Sequence, residues 1–480
     1  MHKITDKTTC PVIAVDLDGT LMLSDTLHES AICLLRDNPA MVLALPYWLL
    51  AGKAALKAKI AERVYLDVAT LPYNSQLIDW LKEERKAGKR IVLCTASDKR
   101  LAQDIAIHLG FFDEVLASDG RTNNAGVNKQ AALEAKYGIK GYEYAGNSTA
   151  DLPVWSGARK AIVVNASEAL TKQVSKVSNV SKVFSSPAVT LSDWLRMLRV
   201  HQWLKNLLLF LPLIAAHQFG NVSSLFILLI GFFSFSLCAS AVYIANDLSD
   251  LQSDRKHPRK RHRPFASAII PIKLGAVLAP LLAIASLALG LKVGTAFTGW
   301  LIIYLLMTCA YSLFLKRLVL IDCLTLAALY TLRIIAGASA VAISPSFWLL
   351  AFSIFVFLSL AFVKRYAELY VQIGNGNTQA HGRDYSVTDA PVIQILGITA
   401  GYAAVLVLAL YLQSETISTL YAQPQFIWLT IPLMLFWVSW IWMKAHRGEM
   451  HDDPIIFALS DKSSIAVAIL ITASFLLALN

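Results

Sequence analysis

The spacing of apolar residues divides this chain into two parts at about residue 200. From Pro11 to about Asn165, short apolar runs alternate with amphipathic stretches, a pattern typical of a parallel α/β sheet. A stretch rich in Ser, Val and Lys follows, so we predict an α/β domain over 1–170 and a linker over 171–194. The predicted strands are Val12–Val15, Arg90–Cys94, Glu114–Ala117, Tyr142–Ala145 and Ala161–Val164.

From about Gln202 onward, long apolar runs replace this alternation. Several approach the roughly twenty residues that a helix needs to cross a bilayer. We therefore predict an all-α membrane domain of nine transmembrane helices over residues 195–480. The predicted spans are 204–219, 223–246, 271–291, 295–315, 318–342, 346–363, 391–412, 425–443 and 463–479.

Composition agrees with this division. The 480 residues are 56% hydrophobic and only 16% charged, with a mean hydropathy of +0.53, which excludes a single soluble domain. The net charge of +10 favours membrane orientation and anionic substrates, because the chain has no aromatic and basic module of the kind that binds nucleic acid. No signal peptide is expected, since Met1–Cys10 is polar.

The basic residues of the membrane domain predict its orientation. If the N-terminal domain is cytoplasmic, the inside loops carry 14 Lys and Arg residues against one, Lys292, outside. We therefore expect a multi-pass protein of the inner (cytoplasmic) membrane, with the N-terminal domain in the cytoplasm. The six cysteines show no CxxC pair, which fits a reducing compartment. They are Cys10, Cys33, Cys94, Cys238, Cys309 and Cys323.

One further apolar stretch, Met41–Ala51, is too short to cross a bilayer. Lys53, Lys57 and Lys59 follow it. Two interpretations stay open: a core helix of a small cap domain, or a helix that lies in the membrane interface. The basic residues slightly favour the second.

The second apolar run ends in acidic residues. On a helix, Asp247, Asp250 and Asp254 lie at positions i, i+3 and i+7, so their carboxylates share one face. Asn246 lies one turn before Asp250. Basic residues near a membrane are usually topology signals, but acidic residues contribute little to topology and are repelled by anionic lipid. Because three crowded carboxylates need neutralising, we predict that Asp247, Asp250 and Asp254 bind Mg²⁺.

A basic run follows the acidic face directly, from Arg255 to Arg263. Ammonium and guanidinium groups bind phosphate by charge-assisted hydrogen bonds. The run therefore predicts a diphosphate site at the membrane surface, with Asp247 and Asp250 catalytic and the other groups binding phosphate. The predicted phosphate-binding residues here are Asn246, Arg255, Lys260, Arg261 and Arg263.

The first predicted strand leads into Asp16 and Asp18 at its carboxyl end, where open α/β sheets place their sites. One aspartate can attack phosphorus, and the second can protonate the leaving oxygen and later activate water. The run Asp16-Leu17-Asp18-Gly19-Thr20 resembles the first motif of the haloacid dehalogenase-type phosphohydrolases. The resemblance implies a Rossmann-like α/β sheet, and the distance from Asp16 to Thr95 leaves room for a small helical cap.

The later motifs of that family follow in order. Thr95 and Lys129 match the hydroxyl and the lysine that bind the phosphoryl group. The resemblance further implies a Mg²⁺ site formed by Asp16, Asp18, Asn147 and Asp151. Asn147 stands where the family usually has Asp, which removes one negative charge from that site. A non-catalytic, regulatory domain is therefore the alternative to an active phosphatase.

The nine apolar runs, with the acidic run after the second, resemble the UbiA superfamily of intramembrane prenyltransferases over about residues 195–480. The finer resemblance is to its decaprenyl-phosphate phosphoribosyltransferase branch. The resemblance implies a nine-helix transmembrane bundle of the UbiA type. The matching positions are Leu198–Asn206, Asp254–Pro264, Tyr311–Leu313, Lys316, Asp322, Arg333, Gly337 and Lys364–Leu369.

That branch lacks a second full aspartate-rich motif between spans four and five, and here only Asp322 stands there. Cations replace it, as binding of a second anionic substrate would require. Lys205 could equally be a residue at the end of a span whose ammonium group reaches the membrane surface. Lys316, Lys364 and Arg365 could be basic residues that anchor the spans on the cytoplasmic side. The cations implied to bind phosphate are Lys205, Lys316, Arg333, Lys364 and Arg365.

The resemblance implies transfer of 5-phosphoribose from phosphoribosyl pyrophosphate to a polyprenyl phosphate, with Mg²⁺ as cofactor. The product carries a 5-phosphate that the fused phosphatase domain could remove, although fusion alone does not prove this. The alternative is a prenyltransferase that moves an isoprenoid chain onto an aromatic acceptor, with a non-catalytic or unrelated N-terminal domain. That alternative predicts a second acidic motif.

Overall fold

The computed structural model describes residues 11–119, 122–186, 188–218, 220–374, 383–414, 421–450 and 453–479. The chain forms two compact units. The first comprises Met1–Leu198 and Tyr243–Ala279, and the second comprises Arg199–Val242 and Pro280–Asn480. The first unit thus contains the α/β domain together with the segment that carries the acidic and basic runs. Cys10 lies outside the described residues.

A six-stranded parallel sheet forms the centre of the first unit, in the order β3-β2-β1-β4-β5-β6. The five predicted strands are confirmed. Their bounds differ most at β2, which continues to Asp98. Val12 of β1 pairs with Arg90 on one side and Tyr142 on the other, so β1 is central. The strands are β1 Val12–Val15, β2 Arg90–Asp98, β3 Glu114–Ser118, β4 Tyr142–Gly146, β5 Lys160–Val164 and β6 Val180–Phe184.

Successive residues of β1 face opposite sides of the sheet, as the period of two requires. Ile13 and Val15 pack in one buried apolar cluster, whereas Val12 and Ala14 pack in another. Both faces are therefore covered, as in other parallel sheets.

A small helical cap lies between β1 and the next sheet helix, as predicted. It consists of α1 Thr26–Asp37, a 3₁₀ turn Pro39–Leu43, α2 Ala44–Leu50, α3 Lys53–Ala61 and a 3₁₀ turn Val68–Thr70. Trp48 is buried in the cap core, while Tyr47 and Leu50 are 70% and 87% exposed. The stretch Met41–Ala51 therefore supplies both a core anchor and an exposed apolar surface.

Helices on both faces complete the α/β fold: α4 Ser75–Lys86, α5 Lys99–Leu109, α6 Val127–Tyr137, α7 Leu152–Gly157 and α8 Glu168–Val177. The expected linker over 171–194 is largely ordered as part of this fold. It holds the end of α8, the edge strand β6 and the start of α9 Leu191–Leu198. The three middle residues of β6 are exposed and only Phe184 is buried, which explains why this edge strand resembles a linker in sequence.

Among the described residues, eight helices are long and apolar enough to cross a membrane. They are α11 Val222–Ser249, α13 Ile272–Val293, α14 Thr295–Leu313, α15 Ile321–Ala340, α16 Phe347–Gly374, α17 Ala390–Leu412, α18 Thr430–His446 and α20 Lys462–Leu479. The spans of α17 and α18 include the 3₁₀ turns before them and run over Val387–Leu412 and Pro424–His446. The shorter helices of this part are α10 Leu211–Ala215, α12 Leu251–Lys256 and α19 Pro454–Ser460. The chain therefore has the apolar helices of a multi-pass membrane protein.

The first predicted span, 204–219, differs from expectation. It forms a 3₁₀ helix, Val200–Phe210, followed by the short α10. Pro212 lies in the first turn of α10, where a proline without a backbone N–H begins a helix readily but cannot continue one. The ninth apolar segment is thus present without being one long helix.

Close packing in the second unit depends on small residues, as in other membrane bundles. A Cβ at Gly337 would lie only 2.0 Å from the backbone oxygen of Leu209, so glycine is required there. Ser234 and Ser286 each donate a side-chain hydrogen bond to the other's backbone oxygen, at 2.8 and 2.7 Å. Gly337 of the matched motif therefore has a packing role.

Candidate active sites

Asp16 follows β1 directly, and its carboxylate is buried against Lys129 of α6. Lys129 Nζ lies 2.7 Å from Asp16 Oδ1 and also donates to the hydroxyl of Tyr144, at 2.9 Å. Burial raises the pKa of Asp16 to about 7, although the ammonium of Lys129 lowers it. The predicted nucleophile and the predicted phosphate-binding lysine are thus brought together.

Asp18 has a different set of partners, which suits a proton carrier. Its two carboxylate oxygens accept from the backbone N–H of Thr26, at 2.7 Å, and from Ser97 Oγ, at 2.5 Å. Burial and the nearby charge of Asp25 raise the pKa of Asp18. A carboxyl whose pKa is raised keeps its proton longer, which is what a general acid needs.

Thr95 is fully buried within β2, and its Oγ1 accepts a hydrogen bond of 3.0 Å from the backbone N–H of Ser97. Ser97 was not predicted as a site residue, although it orients Asp18 and contacts Thr26 Oγ1 at 2.6 Å. Ser97 lies two residues after Thr95 and therefore on the same face of β2, and this spacing is the sequence feature that could have identified it.

The acidic loop after β4 holds Asp151 firmly. Asp151 Oδ1 accepts from the Tyr144 hydroxyl at 2.7 Å, and Oδ2 accepts from Ser148 Oγ at 3.0 Å and from backbone N–H groups. Lys129 Nζ lies 3.5 Å from Oδ1. Both oxygens of Asp151 are therefore engaged by protein donors, and its role as a metal ligand stays a prediction.

Asn147 lies against the first motif. A Cβ on Gly19, whose φ is +74°, would come within 2.0 Å of Asn147 Nδ2. Glycine is therefore required at position 19 both for the backbone conformation and for this approach. The amide of Asn147 is thus placed beside the loop of Asp16 and Asp18, where its oxygen is a suitable ligand for Mg²⁺.

The acidic run in the first unit forms a pair of carboxylates that share one guanidinium. Arg263 Nη1 donates to Asp247 Oδ1 at 3.0 Å and to Asp254 Oδ2 at 2.7 Å. Asp250 stands between the ends of α11 and α12 and is half-buried. Burial raises the pKa of Asp254, although Arg263 opposes that rise. Asp247, Asp254 and Arg263 are therefore neighbours, as the sequence predicts.

Other residues of the basic run lie away from this pair. Arg255 donates two hydrogen bonds to Glu29 of α1, at 3.0 and 2.6 Å, and a third to the backbone oxygen of Ala266. Lys260 and Arg261 are exposed on a 3₁₀ turn. Of the four predicted basic residues, Arg263 forms salt bridges to the acidic pair, whereas Arg255 pairs with Glu29, a distant partner that local sequence does not reveal.

These sites offer few protein ligands for Mg²⁺, but those ligands are carboxylate and amide oxygens, which Mg²⁺ prefers. In the described parts of the chain, no three His, Cys, Asp or Glu side chains are grouped as a metal site. Mg²⁺ in phosphate-transfer sites commonly uses one or two carboxylates together with water and substrate phosphate. Asp254 Oδ1 is buried without a hydrogen-bond partner among the described groups, and a cation would satisfy it. Asp16 with Asp18, and Asp247 with Asp254, could therefore hold Mg²⁺.

In the second unit, two of the predicted cations meet at a carboxylate that was not predicted. Lys205 Nζ and Lys364 Nζ lie 2.5 and 3.7 Å from Asp453 Oδ2. The Lys205 ammonium also lies 5.6 Å from the centre of the Tyr330 ring. Two ammonium groups on one carboxylate leave a net positive charge, as an anion site requires.

Arg333 is held by neighbouring polar groups in the second unit. It donates to Asn206 Oδ1 at 2.9 Å, to the Leu329 backbone oxygen at 2.7 Å and to the Tyr304 hydroxyl at 2.9 Å. Its guanidinium carbon lies 4.7 Å from the centre of the Tyr304 ring. These contacts fix Arg333 within the protein, and its phosphate-binding role stays a prediction.

Arg365 is completely buried and pairs with Asp322, with 2.5 Å between Nη2 and Oδ2. Glu368 also binds Arg365, and the Tyr385 hydroxyl donates to Asp322 Oδ1 at 2.6 Å. Lys316 is half-buried in the 3₁₀ turn Leu315–Arg317. The single acidic residue between spans four and five is therefore neutralised by an arginine from α16.

Comparison with known proteins agrees with this division of the chain. The UbiA prenyltransferase family matches residues 207–375, and the haloacid dehalogenase-like hydrolase family matches residues 13–156. An uncharacterized protein of Sinorhizobium fredii, y4nM, is 35% identical over 467 residues, which cover 97% of this chain and 90% of that protein. The chain belongs to the UbiA prenyltransferase family and carries an N-terminal haloacid dehalogenase-like hydrolase domain.

Two further relatives have more informative names. The nodulation protein NoeC of Azorhizobium caulinodans is 35% identical over 274 residues, 56% of this chain and 87% of that protein. The decaprenyl-phosphate phosphoribosyltransferase of Mycobacterium tuberculosis is 34% identical over 193 residues, 39% of this chain and 64% of that protein. Both predicted resemblances, and the order of the two domains, are confirmed.

Proposed function

We propose that this protein transfers 5-phosphoribose from phosphoribosyl pyrophosphate to a polyprenyl phosphate and then removes the 5-phosphate with its N-terminal domain. The observation that carries the proposal is the pairing of Asp322 with Arg365, because a carboxylate neutralised in this way does not form the second acidic metal site of an aromatic prenyltransferase. Similarity to proteins named decaprenyl-phosphate phosphoribosyltransferase supports the same substrates.

The donor side of the reaction is assigned to Asp247, Asp254 and Arg263. Pyrophosphate would draw Arg263 toward its own oxygens, since a guanidinium binds phosphate through two parallel hydrogen bonds. Mg²⁺, when bound, would neutralise negative charge on the leaving pyrophosphate. The carboxylates of Asp247 and Asp254, no longer bound to Arg263, would hold the Mg²⁺.

The acceptor side is assigned to Lys205 and Lys364. The phosphate of a polyprenyl phosphate competes with Asp453 for these two ammonium groups, which are partly shielded from water and therefore bind charge strongly. The lipid phosphate oxygen would then attack the anomeric carbon as the bond to pyrophosphate breaks. Lys205 and Lys364 would hold that phosphate in place during the attack.

The N-terminal domain would carry out the second step through Asp16 and Asp18. A carboxylate oxygen of Asp16 attacks phosphorus, the bond to the sugar oxygen breaks, and Asp18 donates its proton to that oxygen. Water then attacks the aspartyl-phosphate, Asp18 takes up a proton from the water, and inorganic phosphate leaves. Lys129, at 2.7 Å from Asp16, offsets the charge on the phosphoryl group.

The cellular setting follows from the same proposal. Phosphoribosyl pyrophosphate is a charged, water-soluble donor, so the acidic and basic runs must face the compartment that supplies it. We assign that side, and the N-terminal domain, to the cytoplasm of a cell whose inner membrane holds the apolar helices. The excess of basic residues on that side supports this orientation.

A single reconstitution tests the proposal. Purified protein is incubated with labelled phosphoribosyl pyrophosphate, polyprenyl phosphate and Mg²⁺, and the lipid products are separated. The wild type should form a lipid-linked ribose without its 5-phosphate, whereas Asp16→Asn should accumulate the phosphorylated lipid, because the amide keeps the shape but cannot act as a nucleophile. Asp247→Ala should form neither.

Two outcomes would contradict the proposal. Transfer of a prenyl group from a prenyl diphosphate to an aromatic acid, with no ribosylated lipid, would establish the alternative reaction. Wild-type protein that accumulates the phosphorylated lipid as completely as Asp16→Asn does would separate the two domains functionally.

A further inference from the structure

The predicted phosphatase site adjoins a cleft whose second wall comes from the segment before α13 and the first turn of that helix. The cleft has a volume of about 260 Å³ and lies within the first unit. Asp18, His28 and Asn147 line one side of it. The other side is lined by residues 268 and 270–273, which belong to the UbiA part of the chain.

Three polar contacts hold α12, the helix that precedes that wall, against the cap. Arg255 and Glu29 form a two-bonded ion pair whose side chains are only 6% and 2% exposed. Lys256 pairs with Asp67 at 2.8 Å, and Arg36 donates to Gln252 at 3.2 Å. A buried, doubly bonded pair fixes both position and orientation. Arg255 also donates to the backbone oxygen of Ala266, two residues before the wall, so these contacts help to hold the wall beside the cap.

The chemistry of the cleft differs between its two ends. At one end, the lining includes Asp18 and Asn147, and Asp18 lies two residues after Asp16, the predicted nucleophile. At the outer wall, Lys273 is exposed and forms no salt bridge among the residues that the structure describes. His28, the other basic residue of the lining, is 3.4 Å from Asp25. Lys273 is thus the cation available to a ligand.

We propose that Lys273 binds a second phosphate of the phosphatase substrate, one that is not hydrolysed. The substrate class is a sugar phosphate whose other end carries a phosphodiester to a lipid, and this assignment rests on the proposed function. The ester to be cleaved lies at Asp16, the sugar fills the cleft, and the phosphodiester meets the ammonium of Lys273.

The size and polarity of the cleft suit such a substrate. A cleft of 260 Å³ lies just below the roughly 300–1,000 Å³ of sites that enclose a whole drug-sized ligand, so it accommodates a sugar and its phosphates but not a long chain. Leu23, Ile270 and Pro271 add apolar surface beside Lys273. The first carbons of a lipid leaving the phosphodiester would lie on that surface.

The test uses soluble probes with the full-length protein. Hydrolysis of ribose 1,5-bisphosphate is compared with hydrolysis of ribose 5-phosphate, which lacks the second phosphate. The wild type should prefer the bisphosphate, and Lys273→Ala should lower that ratio of kcat/KM by about ten- to a hundredfold, the range for a hydrogen bond to a charged group. The loss should appear in KM, and Lys273→Arg should recover most of it.

A matched control and two opposite outcomes complete the test. Lys86→Ala removes an exposed lysine of α4 and should leave the preference unchanged. An unchanged preference in Lys273→Ala, or no preference in the wild type, would overturn the inference. Because the probes are soluble, a preference that depends on Lys273 would support the site even if the lipid product itself is never hydrolysed. In that case only the proposed function fails.

Discussion

At the scale of single residues, the pKa of Asp16 has a direct consequence for metal binding. Burial raises it to about 7, so without metal the carboxylate takes up a proton as the pH falls through 7. Mg²⁺ binds the ionised carboxylate and competes with that proton. The apparent Mg²⁺ dissociation constant should therefore rise about tenfold for each pH unit below 7 and level off above it.

Calorimetric titration of Mg²⁺ at pH 6, 7 and 8 measures this dependence without needing a substrate. Asp16→Asn has no proton to lose at that position, so the pH dependence of its weaker Mg²⁺ binding should be smaller than that of the wild type. A wild-type affinity that is equal at pH 6 and pH 8 would show that Asp16 is not the titrating ligand.

Prediction from sequence also succeeds or fails residue by residue. Asp16 was predicted from its place at the carboxyl end of a strand, whereas Thr95 and Lys129 were implied by the resemblance to the haloacid dehalogenase-type phosphohydrolases. The structure places Lys129 against Asp16, and the catalytic roles stay predictions. Arg255 was assigned to phosphate from its place in the basic run and Arg365 from the resemblance, and both assignments stay predictions. Their ion-pair partners Glu29 and Asp322 lie far away in sequence. Local sequence shows that a residue is charged and does not show which distant group neutralises it.

At the scale of elements, the ion pair between α1 and α12 gives a prediction that separates two roles for Arg255. Breaking a buried pair leaves one uncompensated charge and costs about 3–5 kcal/mol. Glu29→Arg and Arg255→Glu alone should each destabilise the first unit by roughly that amount, because each places like charges together. The double variant restores opposite charges and should recover most of the stability. Thermal unfolding in detergent measures all three.

The neighbouring pair of Lys256 and Asp67 is the matched control. Its side chains are 63% and 30% exposed, so reversing either charge should cost less than about 1 kcal/mol. If the double variant is stable and transfers ribose normally, Arg255 has a structural role. If it is stable but inactive in transfer, Arg255 binds pyrophosphate as the sequence suggested.

Elements were predicted well where one pattern dominates. The five predicted strands are mostly apolar runs, and the eight long helices carry few charges. The period of the apolar residues identifies the strands, and the length of the apolar runs identifies the helices. The edge strand β6 and the 3₁₀ helix Val200–Phe210 were missed. The first is a short strand with three consecutive exposed residues, so it lacks an apolar pattern. The second buries Lys205 and Asn206, which a hydropathy pattern does not anticipate.

At the scale of the whole molecule, the boundary of the compact units does not follow the boundary of the two families. Residues 243–279 match the UbiA family in sequence but pack with the hydrolase domain. Family motifs divide a chain by ancestry, whereas packing divides it by contact. The loop that bears the acidic and basic runs therefore belongs structurally to the unit that contains the phosphatase site.

Topology is the last prediction at this scale, and both proposed reactions depend on it. Phosphoribosyl pyrophosphate cannot cross the hydrocarbon core, so its site must face the side where it is supplied. In a background without native cysteines, Lys260→Cys should be reached by a membrane-impermeant maleimide only after the membrane is opened, whereas Gln413→Cys should be labelled in intact cells. Labelling of Lys260→Cys from outside would reverse the orientation of the membrane helices and remove access to a cytosolic donor.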